Sequence, residues 1–430
     1  MPRRVVITSI GIVSSLGFEP DTIVSRLKQD HVAFERSPME PPLEPPMEPP
    51  MDPDVATCPI KGFEARHFTG RFKNLRYLNR GAGFSVAAAL QAMAESRLDT
   101  ETISRMGLFV GAGPNLDLSG ECPEIQAGHL KADQLKALWI LRFLPNTATS
   151  VISSLAGIHG ESLTLGTACT ASLQAVGEAF RRIRLGYLDV ALAGGGDSRL
   201  SPGGILAYKK AQALFRSPGD PKREYAPFDQ ARTGFIPGEG GAFVLLEAGD
   251  HAERRGVPAL AEICGYGSSL DGHSMTAPAP EGRWPEKAVL SALDEAELAP
   301  DRIDLISAHG TGTPLNDDME AELIHRLYAK HHPPVIALKS WIGHTAAACG
   351  AVELAILLAC LKAGHIPEIR NLSQPCHEGV HFVRKPTAGS PRWVPRWVIV
   401  QNFGFGGQNS ALVLHHPENA PNRPAAREPV

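Results

Sequence analysis

The sequence predicts an α/β protein built from two similar halves, and three observations carry that expectation. Short apolar runs of strand character alternate with segments whose apolar residues recur at helical spacing. The alternation restarts near Ala259, where Ala259 to Cys264 reads as a new first strand. At 430 residues the chain exceeds what one small core organises. The halves are expected at 1–256 and 257–415, followed by a loose tail rich in Pro, Ala and Asn at 416–430.

In the first half, Val5 to Ile12 reads as a strand and Asp21 to Gln29 as a helix. Residues 38–54 repeat Pro-Pro with Met, Leu and Glu, which forces extended backbone without a ladder and marks an exposed excursion. Arg66, Arg71, Lys73, Arg76 and Arg80 follow without an acid among them, a basic stretch suited to an acidic partner. A helix through Ala82 to Met93, a buried strand from Met106 to Ala112, a mostly helical stretch from Ile125 to Ile140 and a helix from Ser150 to Ile158 are expected next. Leu163 to Leu165 is strand-like and leads through Gly166-Thr167-Ala168-Cys169-Thr170 into a helix with Leu173, Val176, Phe180 and Ile183 on one face. Strands at Asp189 to Ala193 and Ala242 to Glu247 close this half. The second half alternates helix Pro285 to Glu297, strand Ile303 to Ser307, helix Asp318 to Tyr328, strand Val335 to Leu338, helix Ala346 to Ala363 and strand Trp397 to Gln401.

Composition narrows the function. Apolar residues make up 43% and charged residues 20%, which argues against global disorder. A net charge of -4 gives no reason to expect nucleic acid or an anionic membrane as partner. The apolar run after Arg3-Arg4 is too short for a signal peptide, and no window is long enough to span a bilayer, so a cytoplasmic protein is expected. Seven scattered cysteines without a C-x-x-C pair disfavour a disulfide framework and a zinc site. No metal or redox cofactor is indicated.

Cys169 sits where a helix begins, and free N–H groups with the positive end of the helix dipole favour its thiolate. Glycine-punctuated loops follow the strands ending at Leu165, Ser307, Leu338 and Val400. Strand ends gather ligands in α/β sheets, so these loops are expected to bring together Cys169, His309, Lys339 and His344. Such a set allows a thiolate to take up an acyl group as a thioester while imidazoles donate to a carbonyl oxygen that becomes negative. A papain-like hydrolase would leave the second His and the Lys without a task.

These residues resemble the elongating β-ketoacyl-acyl carrier protein synthases, type II condensing enzymes of the thiolase superfamily. The resemblance runs from Val5-Val6-Ile7-Thr8 through Gly166 to Thr170, Pro227-Phe228-Asp229, Ala308-His309-Gly310-Thr311-Gly312-Thr313, Lys339-Ser340-Trp341-Ile342-Gly343-His344-Thr345 and Asn402-Phe403-Gly404-Phe405-Gly406-Gly407-Gln408-Asn409. It implies a thiolase-like, layered αβαβα architecture with mixed sheets. It also implies decarboxylative Claisen condensation of a Cys-bound acyl chain with malonyl-acyl carrier protein, in fatty acid or specialised polyketide or polyene synthesis, without a cofactor. By resemblance Cys169 carries the acyl chain, and His309 and His344 bind the malonyl thioester carbonyl. Lys339, paired with Glu353, orders the histidines. The N–H groups of Cys169 and Phe405 form the oxyanion hole, and the Phe405 ring is a gate. Thr311 and Thr313 hold the phosphopantetheine arm, while Lys73 and Arg76 face an acidic carrier protein. A dimer is implied, either of identical chains or with a related subunit.

Three positions depart from the pattern: Thr233 where Asp is usual, Trp341 where a smaller side chain is common, and Cys349 where Ala is common. Two other readings compete. A thiolase acting on coenzyme A would use a second catalytic cysteine and typically one of these histidines, and a chain-length or scaffold subunit would usually lack the nucleophilic cysteine.

Overall fold

The computed structural model describes residues 2–37, 55–116, 125–126, 129–130, 135, 137–384 and 394–417. The excursion expected at 38–54 and the tail from 418 onward lie outside the described residues. The excursion's two ends do meet, since Glu35–Ser37 pairs antiparallel with Val55–Thr57.

Ten strands form one mixed sheet. In chain order they are β1 (Val5–Val13), β2 (Gly107–Gly111), β3 (Ser162–Leu165), β4 (Val190–Ser198), β5 (Glu239–Ala248), β6 (Ala261–Leu270), β7 (Leu305–Ser307), β8 (Val335–Ile336), β9 (Trp397–Gly404) and β10 (Gln408–His415). Their order across the sheet is β8-β7-β9-β10-β6-β1-β5-β4-β2-β3. The sequence β1-β5-β4-β2-β3 has the same connectivity as β6-β10-β9-β7-β8. In both, the first, fifth and fourth strands are antiparallel neighbours, and the fourth, second and third are parallel. The two sets join where Val5, Val6 and Ile7 pair antiparallel with Ile263, Glu262 and Ala261.

Helices complete the layers: α1 (Pro20–Lys28), α2 (Arg80–Ser96), α3 (Thr147–Ala156), α4 (Ala171–Arg184), α5 (Arg283–Glu295), α6 (Pro314–Tyr328) and α7 (Cys349–Lys362). Three apolar cores account for them. The largest holds Leu173, Val176, Phe180 and Ile183 of α4, Val352 and Ile356 of α7, and inward residues of β1, β5, β6 and β9. A second packs α5 and α6 against the second strand set, and a third packs α2 against the first. Helices therefore lie between the strand sets and outside each, the layered α/β architecture expected. Because α7 is enclosed on all sides, every residue from Cys349 to Leu361 is buried, as its apolar composition all round requires. Glycines let helices press onto strands: a Cβ at Gly11 would lie 2.0 Å from the Ala88 carbonyl oxygen.

Several element expectations change. The stretch Ile125 to Ile140 was expected to be mostly helical, but Ile125–Gln126 pairs antiparallel with His129–Leu130, and Trp139–Arg142 is a single 3-10 turn. The strand expected to stop at Ala193 continues through Gly194-Gly195-Gly196 to Ser198, because these glycines admit close neighbours and a Cβ at Gly194 would meet the Ala242 carbonyl oxygen at 2.0 Å. Strand β10 was not foreseen. Among the described residues no helix is long and apolar enough to cross a membrane.

Candidate active site

The thiol, both imidazoles and the ammonium follow the ends of β3, β7 and β8, and Phe405 follows the end of β9. Cys169 is not the first residue of α4; it lies in a 3-10 turn, Ala168–Thr170, that feeds the helix. Ala168 holds φ at 49°, a left-handed conformation uncommon for a residue with a Cβ. The second half repeats this device. After His344, Ala346 also has φ of 49°, and the 3-10 turn Ala346–Ala348 leads into α7. β9 runs up to the cysteine turn so closely that a Cβ at Gly404 would lie 3.2 Å from the Cys169 nitrogen. The Phe405 N–H, next along, faces the Cys169 thiol and favours its ionised form.

The thiol is not the ready thiolate that its helix position suggested. Burial pushes its pKa above the ordinary value, against the Phe405 N–H and the charges of Lys339 and Arg199, which pull it down.

The imidazoles face each other edge to plane, with ring centroids 5.7 Å apart and an interplanar angle of 81°. His309 Nδ1 lies 3.1 Å from Lys339 Nζ and 3.2 Å from Asn402 Nδ2. Both neighbours can only donate, so Nδ1 accepts and the proton belongs on Nε2. His344 Nδ1 accepts from the Ala346 N–H at 3.1 Å, which assigns its proton to Nε2 as well. Cys349 Sγ approaches the same Nδ1 at 3.7 Å. Burial holds both histidines neutral, reinforced by Lys339, with His309 well below its ordinary range and His344 down to about 3.

Lys339 is fully buried and forms an ion pair with Glu353 while donating to the His309 carbonyl oxygen at 2.8 Å. Burial alone would strip its charge, but Glu353 overrides this and holds the ammonium above its ordinary pKa. Asn402 Nδ2 also donates to Glu353 at 2.9 Å, so the carboxylate is satisfied twice.

The His309 loop is held from beneath by two buried carboxylates of α6. Glu320 accepts the N–H groups of His309 at 2.7 Å and Gly310 at 2.8 Å. Asp317 accepts those of Phe228 at 2.7 Å, Thr311 at 3.0 Å and Gly312 at 3.0 Å. Thr311 and Thr313 lie side by side, their hydroxyl oxygens 2.9 Å apart. Phe405 is 36% exposed, as a residue at an entrance would be. Lys73 and Arg76 are exposed on a 3-10 turn, Lys73–Tyr77. Arg80, counted with them in the basic stretch, instead turns inward to the buried carboxylate of Glu239 at 2.6 Å.

Of the departing positions, Trp341 gives its bulk to the central core, with its indole N–H on the Glu368 carbonyl oxygen at 2.8 Å and Arg370 over its ring. Thr233 Oγ1 accepts the Arg216 N–H at 2.9 Å. Sequence reasoning assigned no task to Asn402, Asp317 or Glu320. The signal for the last two was present: acids three apart, on one face of a helix that follows a glycine-rich loop.

Residues 2–252 match the family described as beta-ketoacyl synthase, N-terminal domain, and residues 260–373 match beta-ketoacyl synthase, C-terminal domain. A putative polyketide beta-ketoacyl synthase 1 of Streptomyces halstedii is 32% identical, the alignment covering 97% of this chain and 99% of the relative. The 3-oxoacyl-acyl-carrier-protein synthase 2 of Coxiella burnetii is 31% identical over 96% of this chain and 98% of its own. The crystal structure of a beta-ketoacyl synthase from Burkholderia phymatum aligns with a TM-score of 0.85 at 28% identity, covering 97% of this chain and 100% of that one. The chain belongs to the β-ketoacyl synthase family, condensing enzymes of the acyltransferase class.

Proposed function

We propose that the described site condenses a Cys169-bound acyl chain with a malonyl group delivered on an acyl carrier protein. The observation that carries this reading is the pair of adjacent imidazoles, each with Nδ1 occupied by a donor, which leaves each Nε2–H to serve a substrate oxygen. Loading exchanges thioesters: the Cys169 sulfur bonds the acyl carbon, the carrier's pantetheine sulfur departs, and the thiol proton goes with it. The malonyl thioester then loses its carboxylate as carbon dioxide. The electron pair left behind becomes an enolate whose oxygen the two Nε2–H groups stabilise. Its carbon attacks the Cys169 thioester, the oxygen of that thioester taking hydrogen bonds from the N–H groups of Cys169 and Phe405. Collapse expels the Cys169 thiolate and leaves a 3-oxoacyl group on the carrier.

In this reading Thr311 and Thr313 hold the pantetheine arm, and the exposed Lys73 and Arg76 meet the acidic carrier. The enzyme works in the cytoplasm as a dimer, with an identical chain or a related subunit. Purified enzyme given acyl and malonyl carriers should release carbon dioxide and a 3-oxoacyl product, and Cys169→Ala should abolish condensation. Condensation that survives that change, or proceeds with coenzyme A thioesters and no carrier, would sink the reading.

A further inference from the structure

The two imidazoles are secured unequally. His309 Nδ1 takes its donors from two separate elements, Lys339 at 3.1 Å and Asn402 at 3.2 Å. His344 Nδ1 takes its backbone donor from its own turn, the Ala346 N–H at 3.1 Å. Among the described residues, Cys349 is the one side chain that reaches this nitrogen, with its Sγ at 3.7 Å. Phe235 lies against the face of the His344 ring, with centroids 4.7 Å apart and planes tilted by 32°, and so resists rotation of the ring. The nitrogen edge is left to the turn and the thiol.

That thiol is rigidly placed. Cys349 is the first residue of α7 and is fully buried. The next residue, Gly350, fits so closely against α4 that a Cβ on it would meet Leu173 Cβ at 2.4 Å. Glu353, four residues on and so on the same face of α7, pairs with Lys339 and accepts from Asn402. One helix face thereby reaches the Nδ1 side of both histidines, through Glu353 and its two partners for His309 and directly through sulfur for His344. Protonation sets the direction of the sulfur contact. The Ala346 N–H requires a bare His344 Nδ1, and burial pushes the Cys349 thiol above its ordinary pKa, so the sulfur keeps its proton and donates. A thiol is a weak donor and its acceptor is shared, so the bond is small in energy. Its effect is on aim: it pins the ring from outside the turn, and a ring held at Nδ1 keeps its Nε2–H in one direction. The alanine common here among the synthases this chain resembles has no such group.

We propose that Cys349 is a positioning residue for decarboxylation, its S–H donating to His344 Nδ1 and so holding the Nε2–H toward the enolate oxygen. This rests on the condensation reading and adds a residue to it. The test compares the full-length enzyme with Cys349→Ala and Cys349→Ser, which differ from each other by one hydroxyl. Carbon dioxide release from malonyl carrier should fall roughly threefold in Cys349→Ala, the value of a weak hydrogen bond, while acylation of Cys169 from hexanoyl carrier keeps its rate. Cys349→Ser should recover most of the loss, since a donor returns. Release unchanged in Cys349→Ala overturns the proposal, and so does a loss shared by acylation. A serine variant as slow as the alanine one overturns it too, since the sulfur would then only fill space. Infrared spectra give a second reading: the S–H band that Cys349→Ala removes should move to higher frequency in His344→Phe, where the acceptor is gone. A band that does not move overturns the proposal whatever the rates. No carbon dioxide from the unaltered enzyme overturns the condensation reading itself, and this inference with it.

Discussion

Lys339 Nζ stands 3.1 Å from His309 Nδ1, where its charge adds to burial in keeping the imidazole neutral. Replacing Lys339 by Met removes a positive charge and leaves the Glu353 carboxylate beside the histidines. Both changes favour imidazolium, so the histidine pKa values rise. In the unaltered enzyme His344 becomes protonated only as pH falls toward about 3, so carbon dioxide release from malonyl carrier should not decline between pH 8 and 5 on its account. Lys339→Met should introduce such a decline, while loading of Cys169 changes less. The check is a pH–rate profile of decarboxylation beside timed acylation; superimposable profiles would exclude this role. Since an unpaired buried Glu353 costs about 3–5 kcal/mol, the double change with Glu353→Gln serves if the single variant is unstable.

Asn402 makes the tautomer assignment possible by donating to both His309 Nδ1 and Glu353. Asn402→Asp keeps the shape but turns a donor into an acceptor and adds a negative charge. The proton of His309 is then drawn to Nδ1 and the Nε2–H is lost to the enolate. Decarboxylation should fall by about 10²-fold, the usual loss for one oxyanion donor. The measurement is kcat for carbon dioxide release, with acyl loading as the control. A loss shared equally by both half reactions would point to misfolding instead.

How much of this was legible beforehand depended on whether a feature left a local trace. Cys169, His309, Lys339 and His344 could be gathered because each lies in a glycine-punctuated loop that follows an apolar run, the trace of a strand ending in a tight loop. The apolar faces of α4 and α7 were likewise periodic or continuous. What left no trace was long-range: the antiparallel return of β10 was obscured because Asn402 to Asn409 read as one loop, whereas Gly406 and Gly407 make a tight turn at φ of 85° and 75°. The duplication was weak in residue identity, yet it is explicit in strand order and in the matched left-handed alanines, Ala168 and Ala346. Backbone geometry repeats here where side chains do not.

Gly350 sets the distance between the two central helices. A Cβ there would meet Leu173 Cβ at 2.4 Å and the Leu173 nitrogen at 2.9 Å, with Asn402 Oδ1 at 2.6 Å. Backbone and a buried amide cannot yield, so Gly350→Ala must push α7 from α4 and disturb the Asn402 contacts. Overpacking of this kind costs about 1–3 kcal/mol. Denaturant titration should show the lowered midpoint, together with reduced decarboxylation. An unchanged midpoint would mean that the helices have slack which the close approach denies.

Glu320 gives the site a pH-dependent foundation. Its carboxyl is fully buried under the His309 loop, and burial raises its pKa from 4.5 to about 7 against the N–H groups of Gly310 and His309. Because the folded value lies above the unfolded one, the group's stabilising contribution is complete below 4.5 and is lost as pH rises through about 7. The difference corresponds to about 3 kcal/mol. Glu320→Gln keeps an acceptor for one backbone N–H but does not titrate, so its stability should lack this component. Unfolding free energies of the two proteins compared from pH 4.5 to 8 should therefore converge or cross, with the unaltered protein losing ground as pH rises. Parallel curves would show that the carboxyl is ionised throughout and that its hydrogen bonds to the loop, not its desolvation, decide its state.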